Sequence, residues 1–422
     1  MKIKQFLNDH GCDLTWQKGF YEDLHAHPEL SHEEIRTAGR ILERLEKLDC
    51  EIITGLGGHG IVAIFRNPGR SGDVAVAPSP TPDMQTVLMR ADFDALPVSE
   101  ETGVAFAATN GCMHACGHDM HVTALLGVCE VLNTRRDQWT GTFIALFQPA
   151  EETSDGALNM LEDDLVAKLP RPDVCLGQHV MPGKAGQVAS VAGPILAGCD
   201  SIRIRIPGRS AHASMPHNAV DPTLIAAMII VRLQALVGRE VSPADFFVIS
   251  VGELHSGEKN NIIPKSAELV LNTRYYDPQL AERVYVALRR MVVAECEASA
   301  SPAQPTFEFF AHGEVTDNEP AIAATIRAVF DDCFGQASVD AQPSTASEDF
   351  CYLPKAWGVP YHYWFIGSTP VRLLDNPPVN HQPNFLPDYE PTVDAATRAG
   401  LAAVSSFLHK STVNSAAHTS TR

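Results

Sequence analysis

The sequence predicts an α/β protein with a mostly parallel sheet, interrupted by an inserted α+β domain. Three observations carry that prediction. Short apolar runs alternate with helical patterns up to about residue 192. The order of elements changes from about Gly193 to about residue 312, and the α/β alternation then resumes.

The first strong element is "SHEEIRTAGRILERLEKL" (31–48). Ser31 with Glu34 three positions later is the pattern of a capping box. Ile35, Ala38, Ile41, Leu42, Leu45 and Leu48 then recur at helical spacing. The runs "GIVAIFR" (60–66), "TVLMR" (86–90), "TFIALFQ" (142–148) and "DVCLGQHV" (173–180) have the length and β-branched content of buried strands. Between them "HVTALLGVCEVLNTRR" (121–136) and "DGALNMLEDDLVAKL" (155–169) read as helices. After Gly193 come strand "DSIRIRIPG", helix "PTLIAAMIIVRLQALVG", strands "DFFVISVGELH" and "SAELVLNTRYY", helix "PQLAERVYVALRRMVVAECEA" and strand "PTFEFFAH". That β-α-β-β-α-β order is the ferredoxin-like unit. The expected division is 1–192, an insertion at 193–312, 313–410, and a disordered tail at 411–422; residues 71–85, rich in Pro and Ser, read as a surface insertion.

The chain has 422 residues, enough for two or three domains. Its net charge is −19, from 32 basic and 51 acidic residues, and it contains no basic run. That argues against nucleic acid and anionic membrane as partners. The first residues lack the apolar core of a signal peptide, and no apolar run is long enough to suggest a bilayer span. Ten cysteines scattered without a framework of spacings suit reduced thiols and a cytoplasmic location.

Ligands of open α/β sheets gather beyond the carboxyl ends of the strands. There "ADFDALP" supplies Asp92 and Asp94, "TFIALFQPA" runs into Glu151 and Glu152, "DVCLGQH" ends on His179, and "CGHDMH" (116–121) precedes a helix. Far downstream "PPVNHQPNF" offers His381. Singly, each has an ordinary reading: a turn cap, a solvated acid pair, a surface histidine. Two adjacent carboxylates at a buried strand end repel unless cations or protons compensate. A metal bound by one of them resolves that cost and leaves the other to take a proton from water. A cysteine thiolate can bridge two such ions and leans toward zinc or a similar borderline metal.

The chain resembles the co-catalytic metallo-amidohydrolases, a group that includes carboxypeptidase G-like peptidases, aminoacylases, hippurate hydrolases and plant auxin-conjugate hydrolases. It is most similar to the hippurate/auxin-conjugate branch. The resemblance lies in "LHAHPELSHEE" (24–34), "RADFDALP" (90–97), "HACGHDMH" (114–121), "FQPAEE" (147–152), "GQHV" (177–180), "SAHASMPHNAVDP" (210–222), "NNIIP" (260–264) and "SEDF" (347–350). It implies a zinc-peptidase-like catalytic domain interrupted by a lid and dimerisation domain. It also implies two divalent ions per subunit, Zn²⁺ or Mn²⁺ with Co²⁺ as a further choice, held by Cys116, His118, Glu152, His179 and His381, with Cys116 bridging. Glu151 would be the general base, and Asp92 would orient a ligand from behind. His212 would bind the developing oxyanion across a dimer interface, and Asn261 and Arg274 would hold the substrate carboxylate. His114, Asp119 and His121 stay unassigned.

Arg90 stands where many relatives outside this branch have histidine, and Met120 where the branch usually has glycine. The implied activity is hydrolysis of N-acyl amino acids by a homodimer. A dipeptidase or carboxypeptidase with the same metal site stays open beside it, as does a silent metal- or small-molecule-binding protein.

Overall fold

The computed structural model describes residues 3–8, 11–68 and 85–410. The tail at 411–422 and all of the 71–85 stretch except Gln85 lie outside the described residues. The chain forms two compact units, Met1–Ile195 with Asp317–Gln342 and Asp349–Arg422, and Leu196–Thr316 with Pro343–Glu348.

Among the described residues the first unit holds a nine-stranded sheet. Its central strands Trp139–Gln148, Thr86–Asp92, Val174–Lys184 and Tyr361–Thr369 are all parallel. Val87, Leu88, Met89, Phe143, Ile144, Ala145, Leu146 and Phe147 are buried whichever face they point to, which is why these strands read as unbroken apolar runs. Helices His118–Thr134 and Tyr389–Phe407 pack against the sheet and each other. Strand Gly60–Asn67 departs from the parallel pattern. It pairs antiparallel with both Glu51–Leu56 and Trp139–Gln148. The connection from Leu56 to Gly60 is too short for a parallel crossover, so the chain must fold back as a hairpin.

Two local expectations are corrected. The helix after residue 31 starts at Ile35, and its first amides, Arg36 N–H and Thr37 N–H, donate to the Glu29 carboxylate at 2.9 and 2.7 Å. Ser31 and Glu34 therefore form no capping box. The 155–169 pattern breaks into Gly156–Glu162 and Leu165–Lys168, because Asp164 turns the chain at φ 61°.

In the second unit the sheet order is Phe247–Ser256, Ser266–Tyr275, Gly198–Pro207, Thr306–Gly313, antiparallel throughout. With helices Pro222–Glu240 and Pro278–Ala298 this is the ferredoxin-like arrangement. Both helices start with an Asp cap and a proline, Asp221–Pro222 and Asp277–Pro278. Ile202, Ile204, Ile206, Leu269 and Leu271 are buried against Ile225, Ile229, Leu233, Val284 and Leu288, while Arg205 faces outward. Helix Pro222–Glu240 is long and apolar enough to cross a membrane by length and composition alone. One of its faces lies in this core; Leu224 and Val231 on another are 62% and 66% exposed.

Candidate metal centre

The parallel strands of the first unit end at a common edge, and their ends carry the acids. Thr86–Asp92 delivers Asp92 and then Asp94, Trp139–Gln148 leads into Glu151 and Glu152, and His179 lies in Val174–Lys184. Cys116 and His118 flank Gly117, the residue preceding helix His118–Thr134. Gly117 stands at φ 82°, and a Cβ there would lie 2.3 Å from Val180 Cγ2. Only glycine lets the chain turn this closely against Val180, so the spacing of "CGH" is a backbone requirement as well as a chemical one.

The side chains converge. Cys116 Sγ lies 3.4 Å from His179 Nε2, and His381 Nε2 lies 3.5 Å from Glu152 Oε2. His118 Nε2 lies 3.8 Å from Glu152 Oε1, 4.0 Å from Glu151 Oε2 and 3.7 Å from Asp92 Oδ2. Cys116, Glu152 and His381 each offer a ligand atom within 4.8 Å of the others, and so do His118, Glu151 and Glu152. His381 reaches the group from its loop at φ 70°, with its N–H donating to Ala115 O at 2.8 Å.

The protonation pattern fits cations. Buried His118 Nε2 and Glu152 Oε1 have no hydrogen-bond partner, a costly condition that a shared cation relieves. Burial pushes the Cys116 thiol well above its usual range, and the Glu152 carboxylate pushes it the same way. A thiol so placed ionises only against positive charge. Burial raises Glu152 to about 7 against the pull of His118. Burial, joined by His121, holds His179 well below the ordinary histidine range, so its ring is neutral. Its Nδ1–H donates to Val180 O at 2.8 Å, which leaves the Nε2 lone pair facing Cys116.

Around this set lies a second layer of contacts that the sequence did not order. Asp94, rather than Asp92, accepts from His118 Nδ1, at 3.1 Å. Its other oxygen accepts Glu152 N–H at 2.9 Å and the Ser31 hydroxyl at 2.8 Å. Asp92 Oδ2 accepts from Arg90 and Asp92 Oδ1 from His121 Nδ1, each at 2.5 Å. Although burial opposes ionisation, Arg90 and the His118 and His121 rings hold Asp92 well below the usual carboxylate range. His121 Nε2 accepts the Val180 N–H at 2.9 Å, so both of its nitrogens are in use and neither is left for a metal. Arg90 also donates to Gln148 Oε1 and Asp349 Oδ1, at 2.9 and 3.2 Å. Asp119 accepts from His25 Nδ1 at 2.6 Å, His114 is buried with both ring nitrogens unpartnered, and Met120 is fully buried core. The i, i+2 spacing of Asp92 and Asp94 was a visible signal that both face the same way; which histidine each would meet was not.

His212, Asn261 and Arg274 lie in the second unit. Ala211–His212 pairs with Ile262–Ile263, and Ala213 N–H donates to Asn261 O at 2.9 Å, so His212 and Asn261 share one corner. His212 Nδ1 accepts from Ser214 N–H at 3.2 Å, which puts the proton of the neutral ring on Nε2. Arg274, half-buried, sits opposite Cys199 at the far end of Ser266–Tyr275.

The family model for peptidase family M20/M25/M40 matches residues 88–400. The N-acetyl-L-cysteine deacetylase of Bacillus subtilis is 34% identical over 352 residues, 83% of this chain and 80% of the relative. The N-acetyldiaminopimelate deacetylase of Streptococcus pneumoniae is 34% identical over 392 residues, 92% and 96% of the two chains. Among solved structures, a dinuclear metal-binding peptidase of the M20 family from Bacillus subtilis superposes with a TM-score of 0.76 at 27% identity, covering 93% of this chain and 98% of that one. A strand-end cluster of acids, imidazoles and one thiol, on a fold and a sequence shared along nearly the whole chain, thus leads to one conclusion: this chain belongs to the M20/M25/M40 peptidase family.

Proposed function

We propose that the protein is a metal-dependent N-acyl-amino-acid amidohydrolase, with hippurate-type substrates within its range. The observation that carries this is the pair Glu151–Glu152 at a buried strand end, beside a thiol and unpartnered imidazole and carboxylate atoms. Cys116, His118, Glu152, His179 and His381 would hold two divalent ions, Zn²⁺ or Mn²⁺, with Cys116 shared between them. Two such ions, when bound, polarise the amide carbonyl and acidify a water molecule. Glu151 takes the proton of the attacking water and passes it to the leaving nitrogen, so one carboxylate acts as base and then as acid. His212 Nε2–H donates to the oxyanion that develops at the carbonyl. Asn261 and the planar fork of Arg274 receive the substrate carboxylate. The deacetylases named above act on N-acetyl amino acids by their names, which supports the substrate class. Ten cysteines, all as free thiols, support a reducing, cytoplasmic setting.

The test is amino-acid release from hippurate, N-acetyl amino acids and dipeptides by protein loaded with Zn²⁺ or Mn²⁺. N-acyl amino acids are expected to be cleaved fastest; a clear preference for dipeptides would favour the peptidase reading instead. In the same assay Arg274→Ala is expected to raise KM at least roughly tenfold for N-acyl amino acids, as for loss of a charged hydrogen-bonded contact. The matching carboxyl-amidated substrates should change little. Equal losses on both series would make Arg274 a structural strand residue.

We further propose that two chains share each site. His212 and Asn261 lie past the Ser266 end of the second unit's sheet and Arg274 at the other end, and the strand between rises about 26 Å. A small N-acyl amino acid is too short to touch both ends of one copy. The exposed apolar face carrying Leu224, Met228 and Val231 supports a homodimer. Mixing His212→Ala with Glu151→Gln after subunit exchange should restore about a quarter of wild-type activity, since half the dimers are mixed and each rebuilds one site. No return of activity after verified exchange would show that each chain supplies its own His212.

A further inference from the structure

Glu34 stands outside every role assigned above, yet it is fully buried and its Oε1 accepts the Ala150 N–H at 2.9 Å. It does not cap the helix that follows it, since Glu29 receives the Arg36 and Thr37 amides. Ala150, its partner, stands at φ 53°, in the left-handed region where a side chain is strained. Strain of this kind persists only where the surroundings enforce it.

The segment after Ala150 shows the enforcement. Ser154 N–H to Glu151 O at 2.7 Å and Gly156 N–H to Ala150 O at 3.1 Å close the turn from within. Gly156 has no room for a side chain, because a Cβ would lie 1.8 Å from Pro149 O. Three other amides point outward to buried carboxylates from distant parts of the chain. Ala150 N–H meets Glu34, Glu152 N–H meets Asp94 at 2.9 Å, and Ala157 N–H meets Asp349 Oδ2 at 3.0 Å. Asp94 is in turn held by the Ser31 hydroxyl. Residues 31–34, which precede every strand of the sheet, thus reach the backbone at Ala150 directly and at Glu152 through Asp94.

The conformation of Ala150 sets the direction in which the chain leaves strand Trp139–Gln148, and so where the next side chain, Glu151, points. We propose that Glu34 is a positioning residue for the general base: by accepting the Ala150 N–H it holds the strained residue that aims Glu151. This rests on the reading of Glu151 as base.

The experiment compares Glu34→Ala, Glu34→Gln and the double variant Glu34→Ala/Ala150→Gly. It measures kcat, KM, bound metal, and amide hydrogen exchange of residues 147–157 in metal-free protein. Glu34→Ala is expected to lower kcat roughly 10–100-fold, as for loss of a group that orients another. KM should stay within about threefold, metal content should be normal, and exchange across 147–157 should rise roughly tenfold or more as the Ala150 amide loses its acceptor. Glu34→Gln keeps an acceptor oxygen and should stay near wild type in both readouts. In the double variant glycine adopts the left-handed conformation without strain, so part of the lost kcat should return. Unchanged kcat in Glu34→Ala, or a loss of kcat with unchanged exchange at 147–157, overturns the proposal, and so does a Glu34→Gln variant as impaired as Glu34→Ala. Should Glu34→Ala fail to fold, Glu34→Asp takes its place. The shorter acid withdraws its oxygen from Ala150, and wild-type kcat in that variant would equally overturn the role. Glu151→Gln run alongside separates the two ideas. If it keeps full turnover, the base assignment fails, whereas the exchange result at 147–157 tests the Glu34–Ala150 contact by itself.

Discussion

Glu151→Gln is expected to keep its metal and its substrate affinity and to lose turnover roughly 10²–10⁴-fold or more, the range for removing a general base. Glu152→Gln is expected to lose metal. The proposed division of work rests on where the two neighbours lie. Glu152 has one oxygen 3.5 Å from His381 and the other 3.8 Å from His118, and it shares a compact group with Cys116. Removing its charge takes a donor from both histidine neighbourhoods at once. Glu151 lies 4.0 Å from His118, beside the group that Glu152 forms with Cys116 and His381. A glutamine there keeps size and polarity but cannot take a proton. Metal analysis of both purified variants, followed by steady-state kinetics at saturating metal, separates the roles. Equal metal contents with equal rate losses would contradict the division.

Cys116→Ser is expected to lose most of its bound metal and activity, beyond the roughly 10–100-fold typical of changing a ligand's supporting partner. The substitution is nearly isosteric, so the contact of the Asn380 side-chain amide with Cys116, 3.8 Å from its Sγ, should survive. What changes is the donor. A thiolate bridges two borderline cations well, and a serine hydroxyl, far harder to ionise, does not. Burial and the neighbouring Glu152 already press Cys116 toward its neutral form; for serine the same surroundings leave no route to an anion. Circular dichroism would establish that the fold is intact, and a metal-binding titration would count the ions. Full occupancy with near-normal turnover would remove the bridging role.

Much of the architecture was legible in the chain. The stretch "FIALF" (143–147) is apolar at every position because central parallel strands are covered on both faces, and that pattern is local. The inserted unit announced itself by a change of period. "DSIRIRIPG" alternates since one face of its sheet lies against helices and the other does not. Its helices begin at Asp-Pro steps that state their own boundaries. The antiparallel hairpin Glu51–Asn67 was not legible in the sequence, because a strand's direction depends on its partner, not on its composition.

The candidate site divides along the same line. Residue types at strand ends, and the need of paired acids for a compensating cation or proton, were properties of the sequence alone. It could not give the pairing of each acid with its imidazole: Asp94 with His118, and Asp92 with His121 and Arg90. Those contacts join side chains from separate strands and loops, and their geometry exists only once the sheet has fixed the register of its strands. Ser31 and Glu34 show the difference most directly. Their spacing satisfied a local helix-capping rule, but Glu29 took the helix amides and left both residues to reach Asp94 and Ala150. A hydrogen-bonding side chain goes to whichever buried donor or acceptor would otherwise be unsatisfied, and only the folded chain determines which groups are buried together.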